Sequence, residues 1–253
     1  MKTKIEPVAV SALSIGGVKQ QMHSAIQGGD VFTAAGRTSL GMELRFLDEH
    51  GADRTSTSPP AWLSEVREMR GRVFYDQGRR PFFRFADGSF HDSDPADLHA
   101  YHVIARSQGH AVGCARVMPL AVELGFLSFT IGVERFDRIL RDLGTTQERA
   151  CEAGRWAVVR EWRGGLGHRI VAASWAVARW LGFDVAFVLA FTCEKQDLAL
   201  IRFGARPITG LPLFPSGISD DELRLLYFDV SHPAESMRKQ MDDVAAALNL
   251  SAA

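Results

Sequence analysis

Residues 150–192 hold the pattern that most limits what this chain can become. ACEAGRWAVVREW (150–162) reads as a strand, and Gly164, Gly165 and Gly167 then interrupt it. The segment that follows places Ile170, Ala173, Ser174, Val177 and Leu181 on one face of a helix that Gly182 stops. VAFVLAFT (185–192) is an unbroken apolar run of strand length, the pattern of a central strand covered on both faces. Strand, glycine turn, helix and buried strand in that order call for an α/β domain in which helices cover a sheet.

The flanking segments extend that sheet. GMELRFLD (41–48) alternates as a half-buried strand does, and the turn-rich EHGADRTSTSPP (49–60) ends it. A helix opens at Ser58, Pro59 and Pro60 and runs to about Tyr75, with Leu63, Val66, Met69 or Arg70, and Val73 on its inner side. HAYHVIARSQ (99–108) and AVGCARVMPL (111–120) form a hairpin around Gly109 and His110. One helix is expected over 128–144, then after residue 192 a short helix over 194–204, a strand over 223–230 and an amphipathic C-terminal helix over 232–250. Alternating strands and helices with a hairpin make the sheet mixed. Residues 1–40 carry little periodicity and read as an N-terminal arm, leaving 41–253 as a single domain.

Composition narrows the class of partner. With 46% hydrophobic and 23% charged residues and a formal charge of −1, the chain carries no general attraction for nucleic acid or an acidic membrane. No apolar run approaches the roughly 20 residues of a membrane span, and Glu6 and Pro7 interrupt the weakly apolar N-terminus. Cys114, Cys151 and Cys193 lie far apart with no CxxC and sit inside apolar runs, which reads as buried, reduced thiols in a cytoplasmic protein.

The glycine turn offers free backbone N–H groups at a helix N-terminus, where a phosphate is stabilised. Glycines serve tight turns equally well, so a purely structural role stays open. A dinucleotide fold would need its GxGxxG after the first strand and an acid at the end of the next, and a Walker loop would need GxxxxGK; neither is present. His91, Asp92, Asp94, His99 and His102 have the chemistry of metal ligands, but their placement along a loop and a strand reads as scattered polar residues, and no metal is expected.

The turn resembles the acyl-CoA motif of the GNAT acyltransferases, Arg/Gln-x-x-Gly-x-Gly/Ala. Gly165 and Gly167 match its small positions, whereas Trp162 occupies the Arg/Gln position and Arg163 comes one place late. FGARPI is similar to that superfamily's Gly-Phe element, with Ala205 for Phe, and its usual general-acid Tyr would fall near Leu200. A closer resemblance is to the acyl-homoserine-lactone synthases and N-acyl amino acid synthases. Their dispersed pattern is matched in order by Arg70 and Phe74, Asp94 and Asp97, Arg116 within Gly-x-x-Arg-x-x-Pro, and Glu152 and Arg155. The tryptophan usual after the Phe is missing, with Phe82 and Phe83 nearby, and Leu120 stands where Thr or Ser often follows the Pro.

The resemblance implies a GNAT-like, mostly antiparallel sheet flanked by helices, whose fourth and fifth strands splay to admit a pantetheine arm. It implies an N-acyltransferase that takes the acyl group from acyl-CoA, or from the acyl-phosphopantetheine of an acyl carrier protein, and passes it to the amine of a small molecule. Glu152 is the candidate base and Arg155 its orienting partner; Arg70, Phe74, Asp94, Asp97, Arg116 and Trp156 would wall the substrate pocket. Backbone amides from Trp156 to Val159 would meet the developing oxyanion. Val158, Val159, Arg163, Gly164, Gly165, Gly167 and His168 would hold the donor's phosphates and arm. Residues three apart on a strand face opposite ways, so Glu152 and Arg155 meet only if a bulge intervenes, for which Gly154 is suited. A plain GNAT acetyltransferase and a non-catalytic acyl-CoA-sensing module remain alternatives, as does a structural ion network.

Overall fold

The computed structural model describes residues 30–32, 40–47, 59–78, 80–120, 126–217 and 220–250. The arm expected over 1–40 lies outside these apart from residues 30–32 and 40, and so does most of the turn-rich segment 49–58. Nine strands form one sheet: β1 (Asp30–Phe32), β2 (Leu40–Arg45), β3 (Tyr101–Ser107), β4 (His110–Pro119), β5 (Ala150–Val158), β6 (Val185–Phe191), β7 (Arg206–Pro207), β8 (Phe214–Pro215) and β9 (Glu222–Asp229). Their spatial order is β1-β2-β3-β4-β5-β6-β9-β7, with β8 also on β9. Every pairing is antiparallel except β5 with β6. That exception follows from the helix between them, since a parallel neighbour is reached only by a crossover long enough to return the chain to its starting edge.

The helices are α1 (Ala61–Asp76), α2 (Phe126–Ile131), α3 (Val133–Asp142), α4 (Gly165–Trp180), α5 (Gln196–Arg202) and α6 (Glu235–Ala247). The apolar residues of β6 alternate between the two faces: Ala186, Val188 and Ala190 join the core under α4 and α6, while Val185 and Phe187 join the core under α3. α1 covers the same face as α3 further along the sheet, packing Val66, Met69 and Val73 on Ile104 and Cys114. On the opposite face, α4 is buried without a break from Ile170 to Ala178. The sequence predicted one buried stripe there; α6 lies over the far side of α4 and buries the rest. Trp175 of α4 stacks on Phe228 of β9 with ring centroids 3.7 Å apart.

Two expected elements end sooner. The helix expected over 128–144 is interrupted at Gly132, whose φ of +87° ends α2 and starts α3. The strand expected to reach 162 stops at Val158, and Arg160–Trp162 form a 3-10 turn before Gly164, with φ of +102°, admits the chain to α4. β5 and β6 pair only at Ala150–Val185, Cys151–Ala186 and Glu152–Phe187. Beyond that point both strands continue unpaired with each other, the splay that the family resemblance implied. Cys114 and Cys151 are buried, whereas Cys193, expected to be buried too, is exposed in the turn after β6, where its thiol donates to Asp221 Oδ2 at 2.8 Å. Among the described residues no helix is long and apolar enough to cross a membrane.

The Trp175–Phe228 stack joins the crossover helix to the far half of the sheet, and Phe228 is only 1% exposed. Phe228→Ala should lower unfolding stability by about 3–5 kcal/mol, the usual effect of emptying so large a buried site. Urea or guanidinium unfolding at neutral pH measures it; a loss under 1 kcal/mol would mean that the stack closes no real gap.

Candidate active site

The parting of β5 from β6 coincides with a bulge on the other edge of β5. Cys114 pairs with Ala157 and Arg116 with Gly154, so two steps on β4 face three on β5. The extra residue is absorbed at Arg155, which takes a left-handed φ of +53°. A bulge turns the residues beyond it onto the other face. Glu152 and Arg155, three apart, thereby reach one ion cluster: Arg155 Nη2 lies 2.6 Å from Asp94 Oδ2, and Arg116 links Asp94 Oδ2 at 2.7 Å to Glu152 Oε1 at 3.4 Å.

The cluster continues inward to α1. Arg70 donates to both oxygens of Asp97, at 2.6 and 3.2 Å, and pairs through Nε with Asp92 at 2.5 Å. Arg67, one helical turn earlier, donates to Asp97 Oδ2 at 3.0 Å and to the Asp94 carbonyl at 2.8 Å. Four guanidiniums, of Arg67, Arg70, Arg116 and Arg155, thus face four carboxylates, of Asp92, Asp94, Asp97 and Glu152. A buried charge costs several kcal/mol unless paired, and here every one has a partner. Burial alone would raise Asp97, but the Arg70 and Arg116 guanidiniums hold it far below the ordinary carboxylate range. Arg116 and Arg155 likewise overcome burial and lower Asp94.

The loop carrying these acids is fixed to α1 through its backbone. Asp92 N–H donates to the Arg67 carbonyl at 3.1 Å, and a Cβ on Gly71 would stand 2.8 Å from the His91 nitrogen. Asp94 then caps the 3-10 turn Pro95–His99 by accepting from Ala96 N–H at 3.0 Å. Asp97 O accepts from His102 Nε2 at 2.9 Å, so the imidazole carries its proton on Nε2 and leaves Nδ1 bare. Burial pushes the His102 pKa down to about 4.

Two cavities occupy the gap between the strands. The first, about 390 Å³, has Glu152, Arg116, Arg155, Asp94, Phe74 and Trp156 on its wall, together with Asp92, Arg80 and Phe191. Arg70 and Asp97 stand behind that wall rather than on it. Glu152 is 7% exposed, and its Oε2 is buried without a hydrogen-bond partner among the described residues. The second cavity, about 310 Å³, lies at the start of α4 and is lined by Val158, Arg163, Gly164, Gly167 and His168 among others. Trp156 and Gln196 border both.

Of the residues expected to hold the donor, Val159 and Gly165 are not on the second cavity's wall, and Val159 N–H is committed to Val112 O at 3.0 Å. Alternation along β5 directs the Val158 N–H instead to the open edge. Among the described residues no side chain caps α4, and an added Cβ at Gly164, Gly165 or Gly167 would meet none of them within 4 Å. The first N–H groups of a helix lack intrahelical partners, so this open turn fits an anion such as a phosphate. Leu200, at the place of the usual general-acid Tyr, lines the second cavity.

Asp92, Arg67, Arg80 and Gln196 were not singled out for these places by sequence. Arg67 could have been found, because it sits three residues before Arg70 on the helix face that turns inward. Asp92, grouped by sequence with potential metal ligands, pairs with Arg70 and Arg155. Among the described residues no group of three or more His, Cys, Asp or Glu is arranged to hold a metal ion.

Residues 69–173 match a family model described as an acetyltransferase (GNAT) domain. No curated protein matches the chain. Among solved structures, the CoA-dependent acyl-homoserine-lactone synthase BjaI, with SAM and isopentyl-CoA, aligns at 20% identity over 74% of this chain and 82% of its own, with a TM-score of 0.51. FeeM, an N-acyl amino acid synthase from uncultured soil microbes, aligns at 14% identity over 79% and 94%, with a TM-score of 0.53. The synthase LasI aligns at 14% identity over 79% and 95%, also at 0.53. The fold is therefore the one these synthases share.

Two outcomes follow from the ion cluster. Gly71→Ala would improve helix propensity by about 1 kcal/mol, yet its methyl must displace the His91–Asp92 backbone, so a net loss of about 1–2 kcal/mol and weaker ligand binding are expected. A variant as stable as the parent or more so would show that the loop yields freely. The second outcome concerns acid. His102, Asp94 and Asp97 all bind protons less readily folded than unfolded, so they stabilise the fold above their unfolded values of 6.5 and 3.8 and lose that contribution as pH falls. The His102 part, roughly 3 kcal/mol, should disappear between pH 6.5 and about 4, and His102→Gln should flatten that stretch. Urea unfolding at pH 7, 5.5 and 4 checks it; an identical slope in the variant would assign the loss elsewhere.

Proposed function

We propose that this chain, an enzyme with a GNAT acyltransferase domain, moves an acyl group from an acyl-CoA or acyl-carrier-protein thioester to the amine of a small molecule such as an amino acid. One observation carries the reading: where β5 and β6 part, Glu152 presents a buried Oε2 with no partner, while Arg116 occupies its Oε1. A buried acceptor left open is costly, and a substrate amine donating to it would remove that cost.

The roles follow from position. The donor's phosphate sits on the open start of α4, and its thioester arm runs between the unpaired edges of β5 and β6 toward the first cavity. The amine, held on Glu152 Oε2, attacks the thioester carbonyl. Glu152 takes the amine's proton, the N–C bond forms, the C–S bond breaks, and the proton passes to the departing thiolate. Arg116 keeps the carboxylate oriented, and the N–H of Val158 faces the edge where a carbonyl oxygen gains charge. Arg155, on the cavity wall and 27% exposed in its side chain, orients the acceptor. The exposed Arg160 and Arg163 near the start of α4 favour a carrier protein as one source of the arm, since such a partner would be met by positive charge. An acyl-CoA is what the BjaI structure contains.

Leu200, in the place of a general acid, favours the second reading, an acyl-CoA-binding module without turnover. Free-thiol release from acyl-CoAs of several chain lengths with an amine mixture separates the two. Release is expected, with acyl length dividing a longer-chain synthase from an acetyltransferase, and Glu152→Gln should reduce kcat about 100-fold or more with donor binding retained. Tight acyl-CoA binding with no thiol release from any amine would establish the second reading.

A further inference from the structure

The two cavities meet at a carboxamide whose orientation is fixed by its neighbour. Thr192 N–H donates to Glu222 O of β9 at 3.0 Å, so alternation turns the N–H of Phe191 toward the other edge of β6, the one facing the gap. An edge N–H of this kind would otherwise be open to any strand-like ligand. It is taken instead by Gln196 Oε1 at 3.0 Å. With its oxygen committed to a donor, the Gln196 amide must present its NH₂ elsewhere, and the residue borders both cavities. A second carboxamide, Gln77 at the end of α1, also lines the second cavity. Its Oε1 is buried without a hydrogen-bond partner. One unit thus offers a donor, the other an acceptor, on the walls of the same cavity.

Resting on the acyl-transfer reading above, we propose that Gln77 and Gln196 form an amide clamp for the donor's pantetheine arm. Such an arm carries secondary amides, each with one carbonyl to be met by a donor and one N–H to be met by an acceptor. Gln196 NH₂ donates to an arm carbonyl and Gln77 Oε1 accepts an arm N–H. Gln196 thereby replaces the β6 rung that its own oxygen removes, since the arm finds a side-chain donor where the backbone N–H is covered. The clamp reads the arm itself, so it serves CoA and a carrier-bound arm alike and leaves acyl length to the first cavity.

Calorimetric binding of free CoA, together with steady-state kinetics on an acyl-CoA, tests this with two variants. Gln196→Glu keeps an oxygen for Phe191 N–H but has no NH₂ to donate, whereas Gln77→Leu removes the acceptor. Both should melt within a few degrees of the parent, raise the CoA Kd and the acyl-CoA KM roughly 5–20-fold, and shift kcat far less than KM. Parent-like CoA binding by Gln196→Glu would overturn the proposal, because a strand cap alone survives that change. A fall in kcat with unaltered CoA binding would also overturn it, placing Gln196 at the reacting carbonyl. If the parent itself neither binds CoA nor releases thiol, the acyl-transfer reading fails first, and no variant is needed to see it.

Discussion

The rest of the site depends on the pairing of Arg70, Asp97 and Arg116, the buried centre of the ion cluster. Arg70 and Asp97 are 0% exposed and Arg116 is 2% exposed. They come from α1, from the loop before β3, and from β4. None of the three elements can move alone without leaving a charge unpaired in the interior, a cost of about 3–5 kcal/mol. A hydrophobic replacement of equal volume could be as stable, so stability alone does not account for the cluster. What it supplies is fixed placement. Asp97 receives Arg67, Arg70 and Arg116, and Arg116 then carries that fixed point outward to Asp94 and Glu152 at the cavity.

Two irregularities of β5 act together on this frame. The bulge at Arg155 turns its side chain to the acids on the β4 side, and the loss of pairing after Glu152 opens the β6 side. A strand fully hydrogen-bonded on both edges would have neither a cleft nor two charged residues three apart in one cluster. The crossover through α4 places a helix start beside the opened edge, with its uncapped N–H groups at one end of the gap and Glu152 at the other. The gap is thus polar at both ends. Between them it is lined by Trp156, Val158, Val188 and Leu189, which suits a long, mostly apolar arm with charge at one terminus.

Much of this was legible in the sequence, and the parts that were not have physical causes. Alternation located β2, strand-length segments bounded by turn residues located β3 to β5, an unbroken apolar run located β6, and 3.6-residue spacing located α1, α4 and α6. β7 and β8 are two residues each, too short for any period to register. The break at Gly132 was hidden because apolar spacing persists on both sides of it, and only the backbone angle distinguishes a turn there. Around the site, Arg70, Asp94, Asp97, Arg116, Glu152 and Arg155 were found as an ordered set of charges, and they lie in one connected cluster. Asp92 was visible only as a polar loop residue, because its partners Arg70 and Arg155 are 22 and 63 positions away and no local pattern records such contacts. Gln196 and Gln77 were silent for a similar reason: a neutral carboxamide at a helix end looks like any surface residue until the cavity beside it is known.

The unpaired groups inside the molecule separate structural from functional polarity. His102 Nδ1 and Trp175 Nε1 are buried without partners, but neither residue borders a described cavity. Each costs stability and offers nothing a ligand could reach. Glu152 Oε2 and Gln77 Oε1 are unpaired as well, and here the residues that carry them line the gap between the strands. Both are acceptors, and the ligand classes proposed for them, an amine and an arm of secondary amides, bring N–H donors. Asp97, deeper in the cluster, is filled by three guanidiniums. Glu152 has one oxygen held by Arg116 and the other without a partner among the described residues, which is the arrangement that the role proposed for it as a base requires.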